Sequence, residues 1–152
     1  MFPNPIHIFI GSTLSRPNDF EGETGFILET KMPSGKIETF PATYFFFTDT
    51  TPDGSRLLTI LEALEHIRVH GELVVHLDDE RIPGTWGMDM PRRWASTGWK
   101  TTKGSDVKNW KLWQGILNRT KDDQVSMVSD PTHTYIRLLK TESRKRLEVR
   151  KK

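Results

Sequence analysis

All five tryptophans, Trp86, Trp94, Trp99, Trp110 and Trp113, fall within residues 81–113, where seven basic residues stand against two acidic ones. That mixture suits a polyanion. Lys and Arg neutralise phosphates, and aromatic faces pack on sugars or stack on bases. The same composition also suits a core with a solvated rim, because large aromatics are mostly buried. A second group able to do chemistry is the acidic run Asp78-Asp79-Glu80. Hard divalent cations take carboxylate oxygens, but three adjacent acids point in different directions, and the run also reads as an acidic cap opening the next segment. His133, in Asp130-Pro131-Thr132-His133, reads either as a reactive or as an ordinary loop histidine. His66 and His70 are four residues apart, a weak zinc pattern. Ser12 and Ser15 have no base near them in sequence. A phosphate-cradling glycine loop is absent.

The chain has 152 residues and no cysteine. Its length suits one domain that folds without disulfides or metal. The missing cysteine excludes a disulfide framework, a zinc-thiolate or iron–sulfur site and a cysteine nucleophile. The net charge of +2 hides an asymmetry. Residues 1–80 carry five basic and 13 acidic residues, residues 114–139 three of each, and residues 140–152 seven and two. No apolar run is long enough to span a membrane, and no basic segment precedes an apolar one at the N-terminus. The expectation is a cytoplasmic protein that does not enter a membrane.

These groups need elements to position them. Ile6, Ile8 and Ile10 alternate with His7 and Phe9, predicting a buried first strand that ends at Gly11. Gly25 to Thr30 and Lys36 to Phe40 read as strands joined by the turn Met32-Pro33-Ser34-Gly35. Tyr44 to Phe47 is a strand extension or a buried connector. Asp53 is placed to cap a helix, and Leu57, Ile60, Leu61, Leu64 and Ile67 follow at helical spacing, with Gly71 as its end. Glu72 to Leu77 reads as a strand closing on Asp78, and Pro83 to Pro91 as loop. Asp106 to Asn118 reads as a helix, Val125 to Val128 as a last strand, and Tyr135 to Val149 as a basic terminal helix. The order predicts a mixed sheet covered by helices.

Trp94, Gly98-Trp99-Lys100, Val107-Lys108-Asn109 and Leu112-Trp113-Gln114 resemble bacterial type 1 ribonuclease H. In that family the segment is a basic protrusion that grips the DNA strand of a hybrid, followed by a helix. The resemblance covers roughly residues 6 to 143. It implies an α/β ribonuclease H-like fold: a five-stranded mixed sheet, its first three strands antiparallel, flanked by helices. The expected organisation is one domain over residues 1–143 and a basic tail over 144–152.

The family's chemistry is phosphodiester hydrolysis by two divalent cations about 4 Å apart, held by four carboxylates with a mobile histidine nearby. Carried over, the first-strand carboxylate falls on Gly11, the helix glutamate on Arg56, the fourth-strand aspartate on Asp78, the histidine on His133 and the last-helix aspartate on Ser143, with Glu142 beside it. Asp78 and His133 are therefore the retained catalytic positions. A guanidinium at a ligand position repels Mg²⁺ by several kcal/mol at an intermediate dielectric. The expectation is that Arg56 replaces the metal and pairs bidentately with Asp78.

The resemblance thus implies a nucleic-acid-binding protein for an RNA–DNA hybrid or duplex, with a degenerate site and no cofactor. Arg92, Arg93, Lys100, Lys103 and Lys108 would take phosphates, and Trp94 and Trp99 would shape the groove. Membership of a larger replication or reverse-transcription assembly is a further expectation. One alternative is an active, Mg- or Mn-dependent enzyme in which Glu142, Asp19 or Asp53 supplies missing ligands, with Asp78 and Glu142 holding any metal. Another is a protein-interaction module docking through the acidic first half and Tyr44 to Phe47.

Overall fold

The computed structural model describes residues 4–151. Six strands, β1 (Ile6–Ser12), β2 (Gly22–Lys31), β3 (Ile37–Thr39), β4 (Thr43–Phe47), β5 (Glu72–Leu77) and β6 (Gln124–Ser129), form one mixed sheet. Five helices accompany them: α1 (Pro52–Glu65), α2 (Arg81–Gly87), α3 (Met90–Ser96), α4 (Trp110–Arg119) and α5 (Ile136–Arg150). The spatial order is β3-β2-β1-β5-β6, with β4 also paired to β2. β1 runs antiparallel to β2 and parallel to β5, and β5 runs parallel to β6.

The expected third strand is divided, so the five-strand expectation becomes six. β3 pairs with the far end of β2 (Glu29↔Thr39) and β4 with its near end (Phe26↔Thr43). Between them, residues 40–42 face only residues 27 and 28 of β2, which is the geometry of a bulge. Pro41 lacks the N–H that a continuous ladder needs, while the Phe40 N–H still donates to the Leu28 carbonyl at 2.9 Å. Tyr44 to Phe47 are therefore a strand extension.

Alternation along β1 and β5 divides the sheet into two faces. Ile8, Ile10, Leu73, Val75 and Leu77 join Phe26 and Leu28 in the main core against α1 and α4, with Leu57, Ile60, Leu64, Trp113 and Ile116. The opposite face carries His7, Phe9, Gly11, His76 and Asp78, and α5 packs there on β1 and β2. α1 begins earlier than expected, because Thr51 rather than Asp53 caps it: the Thr51 hydroxyl accepts from the Gly54 N–H at 3.0 Å. It also ends at Glu65, short of Gly71. The stretch read as loop over Pro83 to Pro91 holds α2 and the start of α3, with Pro91 in the first turn, where a missing N–H costs nothing. α5 continues unbroken through the first residues of the expected tail. No helix among the described residues is long and apolar enough to cross a membrane.

Candidate active-site cleft and nucleic-acid interface

Asp78 directly follows β5, and Arg56 lies one turn into α1, which crosses the sheet beside it. Both side chains are buried, 0% and 3% exposed. Arg56 Nε donates to Asp78 Oδ1 at 2.7 Å and Nη2 to Oδ2 at 3.1 Å, so the bidentate pair is present. Arg56 Nη1 donates to the carbonyls of Leu14 (2.8 Å) and Pro52 (3.1 Å). The Ser12 backbone N–H donates to Asp78 Oδ2 at 3.0 Å. Lys140 of α5 brings its Nζ to 3.7 Å from the same oxygen. One carboxylate is thus enclosed by two side-chain cations and a backbone donor.

The pair lies in a cleft of about 610 Å³. Asp79, Glu80, Arg81 and Asp53 also line it, and Arg81 donates to Asp53 at 2.6 Å. Burial raises the Asp79 pKa from its ordinary value, with Arg56 opposing.

The other family positions are occupied differently. A Cβ on Gly11 would lie 2.9 Å from Leu139 Cβ and 3.2 Å from Ile136 Cδ1, so α5 covers the place of the first-strand carboxylate. Ser143 is fully buried with its hydroxyl unpartnered, away from the polar cleft lining. Lys140, three residues earlier, is the α5 residue that reaches Asp78. α5 meets β1 at Leu139, so Lys140 rather than Ser143 is the residue beside Asp78. A helical-register argument placing an apolar α5 residue opposite Gly11 would have found it.

His133 does not fit the part of a mobile histidine. It is buried, its Nδ1 accepts from the Tyr135 N–H at 3.2 Å, and its Nε2 lies 2.8 Å from the Ile10 carbonyl. The acceptor role of Nδ1 puts the proton on Nε2, which donates to Ile10. Glu142 pairs with Lys145 at 3.4 Å. Asp19 accepts from the Ser15 and Arg16 N–H groups, which lower its pKa. Among the described residues no three His, Asp or Glu side chains converge to hold a metal ion. The Asp78 carboxylate does not fit a divalent cation. Both oxygens of Asp78 are taken by donors, and two cations stand where Mg²⁺ or Mn²⁺ would repel them.

The basic segment projects beside this cleft. Gly98 (φ 71°) and Trp99 (φ 63°) are consecutive left-handed residues. They turn the chain out of α3 into a short hairpin in which the Val107 N–H donates to the Trp99 carbonyl at 2.9 Å. Lys103 lies in its turn, and Arg93, Lys103 and Lys108 are exposed without an ion pair among the described residues. Arg92 pairs with Asp89 at 3.1 Å and lies over the Trp86 ring. Lys100 pairs with Asp106. Exposed pairs of this kind are weak, so both cations can exchange their partners for phosphates. Trp99 is 7% exposed and belongs to the core, so it supports the hairpin from beneath rather than facing a groove. Trp94 is partly buried against the same core.

The aromatic run that a docking partner would need is also engaged. Arg146 lies 3.5 Å over the Tyr44 ring and Arg150 lies 3.9 Å over Phe46. Arg146 Nε also donates to buried Glu23 at 2.8 Å.

The mixed sheet, its crossover helix and the protruding hairpin define a ribonuclease H fold. LC9-RNase H1, described as a type 1 RNase H with the type 2 active-site motif, superimposes with a TM-score of 0.71 at 18% identity, covering 95% of this chain and 72% of that one. LC11-RNase H1 in complex with RNA/DNA hybrid superimposes with a TM-score of 0.58 at 16% identity, covering 93% and 99%. In sequence, the ribonuclease H of Escherichia coli (strain SE11) is 33% identical over 107 residues, which is 70% of this chain. The chain belongs to the ribonuclease H family. The match spans 63% of the length of that curated relative. No family model matches the chain.

Proposed function

We propose that this protein binds nucleic acid, an RNA–DNA hybrid or duplex, without cutting it by two-metal hydrolysis. The observation that carries the reading is the arrangement of Arg56, Asp78 and Lys140. Fixed side-chain charge stands where the family's chemistry calls for metal charge. A dication about 4 Å from a guanidinium meets repulsion of several kcal/mol at an effective dielectric near 20. The one retained carboxylate cannot offset that, because both of its oxygens already accept from donors, three hydrogen bonds in all. Support for binding comes from the exposed cations of α3 and the hairpin region, Arg92, Arg93, Lys100, Lys103 and Lys108. LC11-RNase H1, which shares the fold, is in complex with RNA/DNA hybrid. The reading places the protein in the cytoplasm, with a degenerate site and no resident metal.

The test is a hybrid with labelled RNA, incubated with the protein in chelator, in Mg²⁺ and in Mn²⁺. The expected result is a shifted band of equal affinity in all three and intact RNA. RNA cleavage in Mg²⁺ or Mn²⁺ that disappears on Asp78→Asn overturns the reading.

A further inference from the structure

The basic C-terminal region is not explained by the hairpin or the cleft. Residues 140–152 carry seven basic and two acidic residues. The structure accounts for some of that charge. Arg146 and Arg150 turn inward onto Glu23, Tyr44 and Phe46. Lys145 and Lys151 pair with Glu142 and Glu148 on their own helix. Lys140, which reaches Asp78, and Arg144 are the other basic residues described in that range, and with Arg137 one turn earlier their spacings of three and four residues put them on one side of α5. Arg137 and Arg144 are exposed and make no ion pair among the described residues. Lys140, between them, reaches into the cleft at Asp78.

We propose that this stripe of α5 is a second phosphate-contact surface, receiving the backbone of the same nucleic acid that the hairpin holds. The inference rests on the reading given above. Three points support it. The stripe opens at the cleft, whose other wall bears Arg81 at the start of α2, the helix leading to the hairpin region. Its charge is unneutralised at both ends, and no acidic side chain stands between Arg137 and Arg144 on that side. Its length is also suitable. Seven residues of helix rise about 10 Å, and a duplex presents one phosphate per strand about every 3.4 Å of axis, so the stripe faces about three base pairs.

The probe is an 18-base-pair RNA–DNA hybrid, with anisotropy recorded in chelator over a range of KCl. Three proteins are compared with the wild type: Arg137→Ala/Arg144→Ala, Arg137→Lys/Arg144→Lys, and the hairpin variant Arg92→Ala/Arg93→Ala/Lys103→Ala. The α5 alanine pair is expected to lower the slope of log affinity against log salt by about two units, at about 0.9 per lost contact. The lysine pair should keep the wild-type slope. An unchanged slope in the α5 alanine pair, with a reduced slope in the hairpin variant, overturns this inference and leaves the proposed function standing. Wild-type protein that does not bind the hybrid at low salt overturns both. Binding of the stripe to anionic lipid vesicles but not to the hybrid also overturns this inference.

Discussion

Arg56 and Asp78 form a buried two-point ion pair, Nε to Oδ1 at 2.7 Å and Nη2 to Oδ2 at 3.1 Å, in the wall of the cleft. The pair joins α1 to the end of β5. It is held on its outer side by Lys140 and on its inner side by the Ser12 backbone.

Removing one partner of a buried pair leaves an uncompensated charge, which costs about 3–5 kcal/mol. Arg56→Leu is therefore expected to lower unfolding free energy by that order in urea melts. The double variant Arg56→Leu/Asp78→Asn should recover part of the loss. A cost of Arg56→Leu below about 1 kcal/mol would show the pair to be solvated and weak.

Gly11 determines how closely α5 can approach β1. An added Cβ meets Leu139 Cβ at 2.9 Å, so Gly11→Ala forces the helix outward and is expected to cost about 1–3 kcal/mol. Gly11→Asp should cost more, and should not restore metal binding, because α5 occupies the space. Thermal melts and a Mn²⁺ titration of both variants check this.

Trp99 and the hairpin cations should separate in their effects. Trp99→Ala removes a buried aromatic and is expected to destabilise by about 3–5 kcal/mol. Arg93→Ala and Lys103→Ala should leave the melting temperature unchanged. Each should lower the salt dependence of hybrid affinity by about one unit. A stable Trp99→Ala protein with only a binding defect would contradict the packing described here.

His76 gives the protein a pH dependence of defined sign. Its Nδ1 lies 3.0 Å from Asp130 and its Nε2 lies 2.9 Å from His7 Nδ1. Burial pulls its pKa below the ordinary 6.5, with Asp130 opposing. The unfolded chain therefore takes up the proton first as pH falls. The contribution to stability is complete above 6.5 and declines as pH drops below it. Asp79, raised by burial, acts in the opposite sense on the way down to 3.8. Urea midpoints of the wild type at pH 7.5 and 5.5 should fall with acid, and His76→Phe, which keeps the stacking on Phe9, should reduce that fall. An identical fall in both proteins would assign the effect elsewhere.

The ion pair was legible in the sequence because Arg56 and Asp78 lie on either side of an ungapped helix-to-strand crossover, where counting residues is safe. The family resemblance placed a basic protrusion at the hairpin, but Asp106 and Val107, read as the start of a helix, form the hairpin's return, and α4 begins only at Trp110. Lys140 was not legible. The route to α5 passes through the loop around His133, and an offset there changes which residue faces the sheet without changing the helical pattern. The burial of Trp99 was hidden for a related reason: its place in the core depends on two consecutive left-handed residues, which spacing does not reveal. The division of the third strand at Pro41 was implicit in that residue, but pairing register is a property of both strands.

Calorimetric titration of Mn²⁺ into the protein tests the central account most directly. With Arg56 and Lys140 supplying the positive charge at Asp78, the expected trace shows no saturable two-site binding, and hybrid affinity is the same with and without the ion. Tight binding of two ions per chain, lost in Asp78→Asn, would contradict it.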